Sequence, residues 1–291
     1  MAGFEAYAAV VADLLQVHDL RVDLRLVADG GGFSVGAGNM GGALATAAAK
    51  AVGGGCLLIA DADTAKAQAL AAQIGAATAD NATVAAQCDY IFLGVKPQMM
   101  QDMLADLKPH LNGNAVLITM AAGLTTQQIR SWAGDCPVIR IMPNTPVAVG
   151  EGMTLYTATP DVTAPQLEGF VQMMARSGKL CELPESLIDS GCAVSGCGPA
   201  FVYLFIEALT AGGVEKGLSR QQSLQLAAQT VLGAAQMVLE TGRDPIPLKD
   251  AVCSPGGATL QGVAALERGD LHGTVLSAVD AAYKRTLELK G

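Results

Sequence analysis

The amino-acid sequence predicts an α/β fold: a doubly wound parallel sheet in the first part of the chain and an all-helical domain after it. Three observations carry this expectation. Short apolar strand candidates alternate with helical spacing from residue 33 to about residue 157, the pattern of parallel strands joined by crossover helices. A glycine cluster, Gly36-x-Gly38-x-x-Gly41, follows the first strand candidate and opens an alanine-rich helix. Beyond residues 183–187, strand candidates give way to long stretches of helical periodicity. These shifts divide the chain into an N-terminal extension (1–32), a first domain (33–183) and a helical domain (184–291).

Taken in order, residues 4–17 have helix-compatible spacing and Gly30, Gly31 and Gly32 read as a loop. Residues 33–35 are a short strand, followed by the glycine cluster and a helix to about Val52. Strands are expected at 56–60, 90–95, 116–120 and 138–142, with a further one at 152–157, because these runs are rich in β-branched and large apolar residues. Helices are expected at 63–74, 97–108 and 125–132. In the last third, helical spacing covers 200–212, 219–241, 260–268 and 271–289. Ser219 suits the start of its helix and Gly242 the end.

Composition narrows the function classes. The chain has 291 residues, 51% hydrophobic and 15% charged, enough apolar material for a large core, and a net charge of −9. That charge argues against nucleic acid and anionic membranes as partners. No apolar run reaches the roughly 20 residues of a membrane span; the longest candidate, residues 192–209, contains Gly198-Pro199 and Glu207. The N-terminus does not read as a secretory signal. Seven cysteines without a CxxC pair fit a reducing cytoplasm. No His/Cys/Asp/Glu cluster with ligand spacing suggests a metal.

In the glycine cluster, Gly36 permits a tight turn, Gly38 lets a pyrophosphate approach and Gly41 allows close helix packing. Val35, Ala37, Asn39 and Met40 complete this dinucleotide loop. Asp61 follows the second strand candidate, where a carboxylate binds a ribose 2′-OH and repels a 2′-phosphate, a repulsion that Lys66 could offset, which leaves NADH and NADPH both open; capping the helix that follows is a nearly equal use. Gly94, Val95, Lys96 and Pro97 end the third strong strand, and Met120, Ala121 and Ala122 the next, at the edge where such sheets bind ligands. Lys96 offers a cation there, and the small residues after Met120 leave room for a nicotinamide.

Ser254-Pro255-Gly256-Gly257-Ala258-Thr259 precedes a helical run. The first N–H groups of a helix lack intrahelical partners and attract anions. With the Ser254 and Thr259 hydroxyls, this stretch is a candidate carboxylate seat; a plain cap and turn is the alternative. His18, His110 and His272 lie in none of these loops, which disfavours a His-based hydroxy-acid dehydrogenase.

The chain from about Phe33 to Leu289 resembles pyrroline-5-carboxylate reductase. The resemblance rests on Val35 to Gly41 (VGAGNMG), Val95 to Pro97 (VKP), Arg140 to Pro146 (RIMPNTP), Ser195 to Pro199 (SGCGP), Ala211 to Val214 (AGGV), and above all Leu248 to Thr259 (LKDAVCSPGGAT) with Leu266-Glu267 downstream. It implies a Rossmann-type nucleotide domain and a C-terminal all-helical dimerisation domain. The implied reaction is reduction of 1-pyrroline-5-carboxylate to L-proline by NADPH or NADH, in a homodimer or a dimer-based higher oligomer such as a decamer. It further implies that the substrate carboxylate sits on Ser254 and the N–H groups of Gly257, Ala258 and Thr259. The Thr259 hydroxyl would meet the imine nitrogen, Glu185 would lie near the substrate, and Asn81 and Gly94 to Pro97 would contact the cofactor. Two departures stand out: about 30 residues precede the glycine loop, and Ala251 replaces an Asn common in the family. Two other readings use the same features. A β-hydroxy-acid dehydrogenase would need an acid–base lysine such as Lys216, Lys249 or Lys284, and a nucleotide-sensing scaffold would bind cofactor without turnover.

Overall fold

Among the described residues, strand-forming and helix-forming segments alternate through an eight-stranded sheet in which the third, second and first strands in sequence are followed by the fourth to the eighth in turn. The computed structural model describes residues 24–28 and 37–288. The expected helix at 4–17 and strand at 33–35 lie outside them, as do Val35 and Gly36.

The first of these strands is β1, Leu24–Ala28, which pairs in parallel with the second and the fourth in sequence. Its LRLVA sequence supplies the apolar, β-branched character of a central strand, and residues 29–36 separate it from the first helix. That helix, α1 (Ala37–Val52), takes in Ala37, Gly38, Asn39 and Met40. It buries Leu44, Ala45 and Ala48 among sheet residues.

The sheet continues with β2 (Leu57–Asp61), α2 (Thr64–Ile74), β3 (Ala77–Thr78) and α3 (Asn81–Gln87). Next come β4 (Tyr90–Gly94), α4 (Met100–Leu107), β5 (Val116–Thr119), α5 (Thr126–Ala133) and β6 (Val138–Met142). Side chains alternate strictly between two cores. Phe92, Ile118 and Ile139 pack on one face; Ile91, Leu93, Leu117 and Val138 pack on the other with Leu104 and Ile129. Burial on both faces explains why these strands read as continuous apolar runs.

The sheet is mixed, not wholly parallel. β7 (Gly152–Ala158) runs antiparallel to β6, because residues 143–151 hold only a 3-10 turn, Thr145–Val149. A parallel return needs a crossover of a dozen or more residues. Helix α6 (Ala164–Met174) supplies such a crossover, and β8 (Gly178–Glu182) is parallel to β7.

The chain divides into one unit ending at Ile188 and a second spanning Asp189–Glu288. The helical run Glu185–Glu215 crosses this division and is long and apolar enough to span a membrane, with a mean hydropathy of 1.6. Gly198-Pro199 does not interrupt it. A π-turn, Cys192–Gly196, leads into α7 (Gly198–Glu215), and Pro199 sits in the first turn, where its missing N–H is not needed.

Helix α8 (Arg220–Thr241) is capped by Ser219 and ends at Gly242, whose φ of 61° suits glycine. It packs on α7 where the Ser223 hydroxyl donates to the Thr210 carbonyl at 2.7 Å. A Cβ on Gly213 would strike the Ser223 hydroxyl oxygen, which is why glycine stands there. Helices α9 (Pro245–Val252), α10 (Ala258–Arg268) and α11 (Leu271–Glu288) complete this unit.

Candidate active site

In the first unit part of the expected cofactor set, Met40, Asp61, Asn81, Gly94 to Pro97 and Met120 to Ala122, lines two neighbouring cavities at the C-terminal ends of the strands, whereas Ala37, Gly38 and Asn39 are in neither lining. The larger, about 880 Å³, is lined by Asp61, Asn81 and Val95, together with Asp80, Asp102, Asp106 and His110. The smaller, about 280 Å³, is lined by Met40, Gly94, Val95, Lys96, Pro97, Met120, Ala121 and Ala122, with Met142 and Pro143. Val95 belongs to both. Two joined compartments at this edge of a doubly wound sheet suit the two halves of a dinucleotide, the wider one for an adenosine and the narrower for a nicotinamide.

Local chemistry builds the wider compartment. Asp61 ends β2, and its Oδ1 accepts from the Asp63 N–H at 2.9 Å. The Asp63 carboxylate takes the Ala65 and Lys66 N–H groups and so caps α2. The capping use open to Asp61 in the sequence therefore belongs to Asp63. Asp80 caps α3 by accepting from the Thr83 N–H at 2.7 Å. That bond, with its Thr83 side-chain partner next, holds the Asp80 carboxyl below the ordinary 3.8, so it stays ionised at neutral pH. Asp102 and Asp106 have no role in the sequence reading, and His110, set apart there from the ligand loops, lines the same cavity as Asp61 and Asn81. Met99, Asp102, Met103 and Asp106 all line the cavity, and their spacing of three and four is one face of the turn and helix after β4. That periodicity was the available signal.

The chain that leaves the narrower compartment after Ala122 is anchored at the start of α5. Glu185 begins a 3-10 turn, Glu185–Leu187. Its Oε1 accepts from the Thr126 N–H at 2.7 Å and its Oε2 from the Thr126 hydroxyl at 2.8 Å. The Arg140 guanidinium, 1% exposed in the middle of β6, lies 3.5 Å from the same carboxylate. Thr126 is the first residue of α5, whose Thr125 and Gln128 form a reciprocal capping box. Gly123, with φ of 82°, turns the chain between Ala122 and this helix. Glu185 and Arg140 thus pin the far end of the loop that starts at Met120. The structure gives Glu185 this clamping task.

In the second unit, Ser254 to Gly257 form a turn. The Gly257 N–H donates to the Ser254 carbonyl at 2.9 Å, and Gly256 has φ of 72°. Pro at the second and a positive-φ Gly at the third position are the signature of a type II turn. Gly257 then caps α10 with no side-chain bond. The Gly257 N–H is engaged within the turn, whereas those of Ala258 and Thr259, in the first turn of α10, have no carbonyl four residues back inside the helix. A Cβ on Gly257 would collide with the Ser254 hydroxyl oxygen, so Ser254 leans over the mouth of α10. Pro255 lies in the turn and not at the helix start.

Comparison with known proteins places both units. A family described as Pyrroline-5-carboxylate reductase dimerisation matches residues 185–289, and one described as NADP oxidoreductase coenzyme F420-dependent matches residues 32–123. The pyrroline-5-carboxylate reductase of Glycine max is 44% identical over 209 residues, 72% of this chain and 76% of that protein. The Escherichia coli K12 enzyme of the same name is 38% identical over 77% of this chain and 84% of its own. Among solved structures, a pyrroline-5-carboxylate reductase from Coxiella burnetii has a TM-score of 0.84 at 30% identity, covering 93% of this chain and 99% of that one. The Plasmodium falciparum pyrroline carboxylate reductase with NADP bound has a TM-score of 0.78 at 31% identity, covering 93% and 98%.

Proposed function

This chain belongs to the pyrroline-5-carboxylate reductase family, and from that premise we propose how its residues perform the reaction. The reaction is reduction of 1-pyrroline-5-carboxylate to L-proline with NAD(P)H, an NAD(P)H-dependent reduction of a C=N bond. The bound nicotinamide supplies the hydride.

The substrate carboxylate rests on the Ser254 hydroxyl and the N–H groups of Ala258 and Thr259, at the positive end of α10. Gly257 contributes space, not a donor. The Thr259 hydroxyl hydrogen-bonds the ring nitrogen and sets which face of the C=N bond is presented. A protonated imine is already electrophilic, so orientation carries most of the rate. Gly94 to Pro97 and Met120 to Ala122 hold the nicotinamide half of the cofactor, Asp61 and Asn81 the adenosine half. Glu185 acts at one remove, by fixing Thr126 and the loop before it.

The observation that carries this reading is the turn from Ser254 to Gly257, which sets a hydroxyl over the unpaired N–H groups of α10. Thr259→Ala removes one orienting bond, a loss of about 1.4–3 kcal/mol of transition-state binding, and lowers kcat at least about tenfold with folding and cofactor binding intact. Unchanged steady-state kinetics with 1-pyrroline-5-carboxylate would overturn the role of Thr259.

We propose further that the helical unit pairs with a second copy to form a homodimer, on which a decamer or other larger oligomer could be built, and that the α10 mouth of one subunit serves the cofactor of the other. The exposure of Tyr203, Leu204, Leu239 and Leu276 supports this, since apolar surface of that extent marks an interface. The same pairing accounts for the apolar run Glu185–Glu215 without a membrane. The absence of CxxC pairs and the acidic charge fit a cytoplasmic enzyme.

A further inference from the structure

The adenosine compartment carries a charge pattern that bears on which nicotinamide cofactor the reductase uses. Among its described lining residues are the carboxylates of Asp61, Asp80, Asp102 and Asp106, and the only basic side chain among them is His110. Asp61 stands at the C-terminal end of β2, where a carboxylate takes the 2′-hydroxyl of an adenosine ribose. Its place is fixed by the bond from the Asp63 N–H, and helix capping falls to Asp63. Lys66, the cation nearest in sequence, has its amino group 3.4 Å from the Asp63 carboxylate and is 68% exposed; it is not among the lining residues.

We infer that this reductase is built for NADH, with Asp61 as the residue that excludes the 2′-phosphate of NADPH. A 2′-phosphate brings nearly two negative charges at neutral pH into a compartment already lined by carboxylates. It would also take the place of the 2′-hydroxyl that Asp61 is positioned to bind. The inference rests on the reaction assigned above, but it concerns cofactor recognition alone.

The test measures kcat/KM for imine reduction with NADH and NADPH, and Kd for each reduced cofactor by titration calorimetry. These are run on the wild-type protein and on Asp61→Ser and Asp61→Asn, with circular dichroism as the control for folding. The wild type should favour NADH at least about tenfold in both kcat/KM and Kd. Both variants should narrow the ratio at least about fivefold, mainly through weaker NADH and stronger NADPH binding. Equal or tighter NADPH binding by the wild type, or a ratio unmoved in folded variants, overturns the inference. Tight, NADH-selective binding with no proline formed would instead defeat the assigned reaction and leave the cofactor inference standing.

Discussion

Glu185 offers the sharpest test, because its two possible roles leave different traces. Glu185→Ala removes the acceptors of the Thr126 N–H and hydroxyl, at 2.7 and 2.8 Å, and takes a carboxylate from beside the buried Arg140. Hydrogen bonds to a charged group contribute about 1.5–3 kcal/mol each. These two share one residue and are not additive, so the loss is set at about 3 kcal/mol. At about 2–4 °C per kcal/mol for a domain of this size, the Tm should fall by about 6–12 °C, followed by circular dichroism at fixed protein concentration. Glu185→Gln keeps an oxygen for the Thr126 N–H and a donor for its hydroxyl, and loses only the charge facing Arg140. It should retain more than half of the lost stability and leave the KM for 1-pyrroline-5-carboxylate within about twofold. A Glu185→Gln protein with wild-type Tm and a substrate KM raised tenfold would refute the clamp and place the carboxylate at the substrate.

Gly257→Ala forces the Ser254 hydroxyl off the mouth of α10; the KM for the imine acid should rise about tenfold, the equivalent of one lost hydrogen bond of about 1.4 kcal/mol, with Tm little changed. Burial first, and neighbouring acidic groups after it, push the Cys136 thiol up to about 11. At pH 8 its thiolate fraction should therefore be about two hundredfold smaller than that of a thiol of pKa about 8.5, and its alkylation correspondingly slow, as read by mass spectrometry of the modified peptide. The Asp80 carboxyl is lowered from 3.8 in the folded chain, so its cap is fully stabilising above that value and is lost as pH falls through the lowered one. Asp80→Ala should accordingly lower the Tm at pH 7, and the gap from wild type should close on acidification below pH 3.8.

Much of the fold was legible where one physical signal dominated. The central strands bury both faces, so 90–95, 116–120 and 138–142 stood out as apolar runs and match β4, β5 and β6 within a residue or so. The two short edge elements did not: Ala77–Thr78 is exposed on both residues and Gly178–Glu182 is only partly buried, so neither has a hydrophobic pattern to read. Leu24–Ala28, the first strand of the sheet, carries no signal of its own in the sequence, since five residues of mixed polarity cannot be ranked as a strand without the partners they pair with.

The residues for holding a dinucleotide and an anion were present in the sequence as types and spacings, because glycine turns, helix starts and strand ends obey local rules. Spatial partnership was not. Glu185 meets Thr126 and Arg140 across 59 and 45 positions, and the four carboxylates of the adenosine compartment come from the end of β2, the turn before α3 and the helix after β4. Local chemistry is written in neighbouring residues, whereas charge balance in a cavity and the pinning of a loop depend on chain segments that only the completed sheet brings together.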